Sequence, residues 1–380
     1  MTTTVSLESL RDLAAFRAQN GCAISVYLDL DPSVTPTAGD TATRVSSLLD
    51  QAAKSHGATR GDLAHEVRQG LKADFERLDR FFAEEFDRDG AHGLAVFAAG
   101  LDNVWSVLPL ASSVPDEARV ADDFLLAPLV PLLGRGNGAL IAVVNREQGR
   151  VLALRDGKLE EVVDRTEEAP SRHDQGGWSQ ARFQRHIENV AHEHYKTVAG
   201  ELERSFRRFD RPRIVIACSD DVRPEIAAVL PTEVADAVIG WAAVEQHAGA
   251  AGLHDAAQPL LERWRADCET ELVERWCEAT GRGARGVAGW GDTFEAASDG
   301  RIELLLYQEG ARRDAFRCPA CGRAASAAGS CPLDGTTMEP RDDGLDVAVR
   351  LTLAHGGEVR ALEHRRDLDP VEGIGAILRY

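Results

Sequence analysis

Long apolar runs are missing from this chain. No stretch approaches the roughly 18 consecutive apolar residues of a membrane-spanning helix, and even "FLLAPLVPLLG" is broken by prolines. The opening residues, "MTTTVSLESLRDLAAF", lack the basic segment and following apolar segment of a secretory leader. Positive charge is also scarce. Against 62 Asp+Glu stand 43 Lys+Arg, a formal charge of −19, which disfavours non-specific nucleic-acid binding by the whole molecule and restricts any RNA contact to a local patch. Low-complexity tracts and short-period repeats are absent. The 11 histidines include no His-Glu-x-x-His spacing, and His192 and His194 read as surface or packing residues. Cys22, Cys218, Cys268 and Cys277 are scattered singly and read as small buried hydrophobes rather than a disulfide frame. The expectation is a soluble, cytoplasmic protein with no membrane partner.

What is present reads as globular: 44% hydrophobic and 28% charged residues in 380, long for one compact core and ordinary for two or three. The patterns predict an α/β fold of three small domains. Residues 1–135 read as helix, strand ("CAISVYLDL"), two helices and paired strands around "GLAVFAAG" and "VWSVLPL", ending at the turn-rich "GRGNG". Residues 138–255 open with a meander of antiparallel strands, "ALIAVVNREQGRVLALRDGKLEEVVDR". A polar loop and a long helix to about Phe209 follow, then the strand "IVIACS", a helix and a strand near "ADAVIG". Residues 256–380 read as a helix, a loop, a second helix and the buried strand "IELLLYQ"; a cysteine-rich hairpin, 316–338, then precedes a closing helix and strands.

Two places carry chemistry. The first is "RHDQGGWSQARFQRHIE", Arg172 to Glu188, where a glycine pair meets a helix start. Gly176 and Gly177 permit positive φ and close backbone approach, Ser179 is a good N-cap, and Gln180 sits where free N–H groups attract anions. Arg182, Arg185, His186 and Asn189 share one polar face, opposite Phe183, Ile187 and Val190, and such a face can hold phosphates. The same residues also read as an ordinary capped helix with a solvated basic first turn. A G-x-S-x-G elbow with Ser179 as nucleophile fits poorly, because the preceding "EEAPSRHDQ" is polar and proline-broken rather than a buried strand. The second place is "CPACGRAASAAGSCPLDG". Cys318 and Cys321 have the spacing of a zinc knuckle, and Cys331-Pro-Leu-Asp334-Gly335 repeats the frame with a carboxylate in the fourth position. A structural zinc held by Cys318, Cys321, Cys331 and Asp334, a redox C-x-x-C and a metal-free hairpin are the readings. The aspartates between Asp29 and Asp40 read as turn and cap residues.

The first place resembles the catalytic loop and following helix of the archaeal and eukaryotic class I release factors, Gly-Gly-Gln-Ser-x-x-Arg-Phe-x-Arg. Gly176, Gly177, Ser179, Arg182, Phe183 and Arg185 match without gaps, and Trp178 stands at the family's glutamine. Gly177-Trp178-Ser179-Gln180 is similar to the Gly-x-x-Gln loop of the related eukaryotic quality-control peptidyl-tRNA hydrolase. "WCEATGRGARGVAGWGDTFEAASDGRIELLLYQ" and the terminal "VEGIGAILRY" resemble the C-terminal domain of the same family, so the likeness covers the middle and C-terminal domains. No stop-codon-reading motif is matched in the N-terminal domain. The resemblance implies hydrolysis of the ester joining a peptide to the 3′ end of tRNA, in ribosome rescue or quality control. Gln180 would then position water, with Gly176 and Gly177 allowing entry to an RNA-walled site. Arg172, Arg182, Arg185 and His186 would contact phosphates of tRNA or ribosomal RNA. Arg204, Arg207, Arg208, Arg211 and Arg213 extend that footprint or form a solvated helix end. The implied partners are the ribosome and peptidyl-tRNA, with a translational GTPase as a candidate third. Some relatives carry a zinc ribbon at the cysteine-rich place. Trp178 also motivates a non-catalytic alternative, a hibernation or stress factor occupying the ribosomal A site.

Overall fold

The structure is a computed structural model that describes residues 5–31, 38–55, 63–88, 90–133, 138–155, 158–166, 180–244, 248–281 and 285–380. For some of these, residues 180–188 among them, it describes the backbone alone.

The chain opens with α1 (Leu7–Ala15), whose N-cap Ser6 hydroxyl accepts a hydrogen bond from the Ser9 N–H at 3.1 Å. Strand β1 (Ala23–Asp29), helices α2 (Ala38–Ser55) and α3 (His65–Arg80), and strands β2 (Gly93–Ala99) and β3 (Val104–Leu110) follow at the expected places. Strand β4 (Glu117–Ala121) is an addition to the elements that the sequence pattern predicts. Its charged sequence, "EARVA", hides it, because the central Arg119 is held among carboxylates rather than apolar groups.

The meander is β5 (Ala139–Val144), β6 (Gln148–Arg155) and β7 (Lys158–Thr166). Then come α4 (Gln180–Arg208), β8 (Arg213–Ala217), α5 (Arg223–Val229), α6 (Thr232–Ala235) and β9 (Val238–Ala242). Helix α7 (Ala250–Gly281) begins earlier than the expected 256 and holds Pro259 inside it. The remainder is β10 (Gly286–Ala288), α8 (Trp290–Ser298), β11 (Ile302–Gln308), β12 (Ala315–Arg317), β13 (Ala324–Ala325), β14 (Glu339–Arg341), α9 (Gly344–Ala354), β15 (Glu358–Leu362) and β16 (Ile374–Leu378). The architecture is mixed α/β.

Two compact units emerge, Met1–Gly136 with Cys268–Tyr380, and Asn137–Asp267. In the first, an antiparallel sheet of order β3-β2-β1-β4 and a mixed sheet of order β10-β16-β11-β15 share a core. Tyr27, Phe97 and Phe124 from the N-terminal segment lie in one buried cluster with Trp290, Phe294 and Val347 from the C-terminal segment. The alternate residues of β1, Ile24, Val26 and Leu28, face α2 and α3 instead, as the two-residue period of a strand requires. Central strand β16 is "IGAIL". A Cβ on Gly375 would lie 2.6 Å from the Trp276 indole nitrogen, so only glycine admits the ring, whose N–H donates to the Val287 carbonyl at 3.0 Å.

The second unit is a five-stranded sheet, β7-β6-β5-β8-β9, antiparallel through the meander and parallel from β5 to β9. Helix α4 covers one face with Ala191, Tyr195, Val198, Leu202 and Phe206, an i, i+4, i+7 stripe. The first part of α7 covers the other face with Leu253, Ala257 and Leu261.

Candidate functional sites

Helix α4 starts at Gln180, the residue singled out as the water-positioning side chain, so Gln180 occupies the first helical turn. Arg182, Arg185 and His186 follow within the first two turns, where the structure describes the backbone alone. Arg172, Gly176, Gly177, Trp178 and the expected cap Ser179 lie outside the described residues. The helix is 29 residues long, about 44 Å at 1.5 Å per residue. Its described buried stripe begins at Ala191, 11 residues after Gln180, so the helix head lies about 16 Å along the axis from that anchor. The anchor itself is tight. Gly149 of β6 lies under Val198, and a Cβ there would come within 2.1 Å of Val198 Cγ2.

At the far end of α4 the arginines are largely committed. Arg204 pairs with Glu201 at 2.9 Å, Arg207 with Glu203 at 2.7 Å and also with Glu233, and Arg211 with Glu233 at 3.6 Å. Arg208 lies over the Phe209 ring and Arg213 over Trp264. Of the two flagged histidines, His194 is packed in the core and His192 is exposed.

The cysteine-rich hairpin forms a small sheet of order β13-β12-β14. Its two Cys frames have the same backbone geometry. The Gly322 N–H donates to the Cys318 carbonyl at 2.9 Å and the Cys318 N–H to the Arg323 carbonyl at 2.8 Å; the Gly335 N–H donates to the Cys331 carbonyl at 2.9 Å and the Cys331 N–H to the Thr336 carbonyl at 2.8 Å. Each turn closes on a left-handed glycine, φ +78° at Gly322 and +74° at Gly335. One donor atom from each of Cys318, Cys321, Cys331 and Asp334 lies within 4.8 Å of the others. Cys321 Sγ and Cys331 Sγ are 3.4 Å apart, far beyond a disulfide bond, and Asp334 Oδ2 is 3.5 Å from Cys318 Sγ. The edges of a tetrahedron with zinc–sulfur bonds of about 2.3 Å are about 3.8 Å, so the four donors stand close to the spacing that such an ion needs.

The electrostatics agree with a donor cluster. The Thr336 backbone N–H, followed by its hydroxyl, holds the Asp334 carboxyl down to about 2, so this side chain is an acceptor. The Cys321 N–H lowers the Cys318 thiol. At Cys321 the Arg323 N–H pulls down, but burial and the neighbouring Cys331 and Cys318 prevail and push the thiol up to about 11. Crowded donors that resist becoming anions together are what a divalent cation relieves.

A second acidic cluster, Asp123, Asp343 and Asp346, also has closely spaced oxygens. Arginines satisfy it. Asp123 pairs with Arg119 at 2.9 Å and Arg317 at 2.9 Å, Asp343 with Arg341 at 3.0 Å, and Asp346 with Arg119 at 3.3 Å, so the group is a buried ion network rather than a cation site. Sequence reasoning missed it; its only trace is the pairing of "ADD" with the distant "RDDGLD".

"Peptide chain release factor subunit 1" of Methanopyrus kandleri is 28% identical over 213 residues, 54% of this chain and 51% of that protein. The chain therefore spans about half the length of that curated relative. The protein of the same description from Archaeoglobus fulgidus is 24% identical over 98% of this chain and 96% of its own length. Among solved structures, "Model of ribosome-bound archaeal Pelota and ABCE1" aligns at 14% identity and a TM-score of 0.42, covering 100% of this chain and 95% of that one. The chain is a class I release-factor-like superfamily member. Within that class, residues 125–262 match the family model described as "Bacterial archaeo-eukaryotic release factor family 10". No helix among the described residues is long and apolar enough to cross a membrane.

Proposed function

We propose that this protein acts on the ribosome in translation termination or rescue and hydrolyses the peptidyl-tRNA ester. The observation that carries this reading is the register of Gly176, Gly177, Arg182, Phe183 and Arg185 with Gln180 at the first turn of α4. Gln180 is neutral and takes no proton; its side chain orients water, and backbone N–H groups at the helix head stabilise the developing oxyanion. The glycine pair brings the backbone close to the tRNA 3′ end, while Arg172, Arg182, Arg185 and His186 hold RNA phosphates. The division into 1–135, 138–255 and 256–380 belongs to the same proposal, as does delivery by a translational GTPase.

The cysteine-rich hairpin, on this reading, holds a structural zinc through Cys318, Cys321, Cys331 and Asp334. Its own apolar core is small: Cys318, Cys331 and Met338, with Phe316 and Ala325 packed against them. Ala315 and Ala324 tie its strands to the main core of the first unit, and a metal cross-link would hold the two Cys turns beyond them together.

Single-turnover release of labelled peptide from ribosome-bound peptidyl-tRNA tests the main reading. Wild type is expected to release peptide, and Gln180→Ala to slow release about 100-fold or more. An unchanged rate in the variant removes Gln180 from the chemistry. Ribosome co-sedimentation without any release by the wild type would favour the second reading, an A-site-occupying factor, which rests on Trp178 at the family's glutamine position.

A further inference from the structure

In the second unit, the sheet ends at β9, whose outer edge pairs with no other strand among the described residues. Beside this edge lies a groove of about 480 Å³ whose lining includes Arg223 of α5, Gly240 and Trp241 of β9, and Arg263, Trp264 and Asp267 of α7. The Arg223 guanidinium stands 5.0 Å over the Trp241 ring, and that of Arg213, at the start of β8, 4.9 Å over Trp264. Both indoles are half-buried, and all three arginines are exposed. Gly240 lets the floor close: a Cβ there would lie 2.8 Å from Leu260 Cδ2.

Three arginines and two indoles around one groove, against Asp267 alone among the lining acids, reverse locally the −19 charge of the chain. The occupant is therefore anionic and carries flat apolar faces. An added peptide strand is disfavoured, because β9 has only five residues and its register with β8 shifts between Ile214 and Val215. Such an irregularity twists an edge away from straight pairing. We infer that the groove binds a short single-stranded RNA segment, with bases against Trp241 and Trp264 and phosphates on Arg213, Arg223 and Arg263. Indoles give stacking that tolerates any base, and guanidinium forks match phosphate oxygens.

The test uses the full chain and free RNA without ribosomes, so it can fail or succeed independently of the hydrolytic reading. Anisotropy of a labelled single-stranded oligoribonucleotide of about six residues is measured across a salt series. Binding is expected, with accompanying tryptophan quenching and a log–log salt slope of about −0.7 for each phosphate neutralised. Arg223→Glu/Arg263→Glu, confined to exposed side chains, should weaken binding about tenfold or more. Its circular dichroism and melting should match wild type, and Trp264→Leu should reduce the quenching. The inference is overturned by absent binding at low salt, by undiminished binding in the folded charge-reversal protein, or by equal binding of duplex RNA. Preferential binding of a glutamate-rich peptide would overturn it too, making the groove a protein-docking surface.

Discussion

Asp334 is the residue at which the cysteine hairpin departs from a four-thiolate frame, and its environment shows what the departure costs. The carboxylate is held ionised by Thr336, so a fourth anionic donor persists, but oxygen is a harder ligand than thiolate for a zinc-class ion. Asp334→Cys should therefore raise zinc affinity, and Asp334→Ala should lower it about tenfold or more with a fall in thermal stability. Competition with a chromophoric chelator, read alongside melting temperature, checks both. Wild-type melting that neither added zinc nor a chelator changes would leave the hairpin as a turn alone.

Among the elements, α4 is the one that joins fold to chemistry. Its buried stripe was legible from the spacing of Ala191, Tyr195 and Val198, and its start was legible from the serine, glycine and arginine pattern before and after Gln180. Not legible was what seats it: Gly149 of β6, which reads as part of a turn in "REQG" but lies beneath Val198. Gly149→Ala should destabilise the protein by about 1–3 kcal/mol through overpacking. Combined with Val198→Ala it should recover part of that loss, because the two side chains compete for one space. Urea unfolding of the four proteins of this cycle gives the coupling; additive effects would place the strain elsewhere.

For the whole molecule, the decisive feature is the ion network that ties the N-terminal segment to the C-terminal one within the first unit. Arg350 of α9 donates to the carbonyls of Ala14, at 2.9 Å, and Phe124, and its Nε lies 3.3 Å from Asp123. Arg350→Met would leave Asp123 partly uncompensated and should cost about 3–5 kcal/mol by chemical denaturation. The same network predicts a pH dependence. Burial works to raise Asp122, but Arg341, Arg317 and Arg17 outweigh it and hold the carboxyl at about 2; Asp123 is lowered likewise by Arg350 and Arg119 against its own burial. Both folded-state values lie below the unfolded one, about 3.9. Their contribution is thus complete above about pH 4 and is lost as pH falls towards about 2. The unfolding midpoint should drop across that window, and less steeply in Asp122→Asn.

The sequence by itself determined the α/β class, the meander, the stripe of α4 and the repeated Cys frame, because each is a periodicity or spacing within a few tens of residues. Tertiary structure alone decided the rest. Strand β4 forms where apolar alternation is weak because Arg119 finds Asp343, 224 residues away. Residues 1–136 and 268–380 close on one core although the second unit separates them in the chain. The two Cys frames face one point because the three strands of their sheet bring them there. In each case the partner is distant in sequence, and local pattern carries no record of which distant charge or strand will satisfy a group that burial has removed from water.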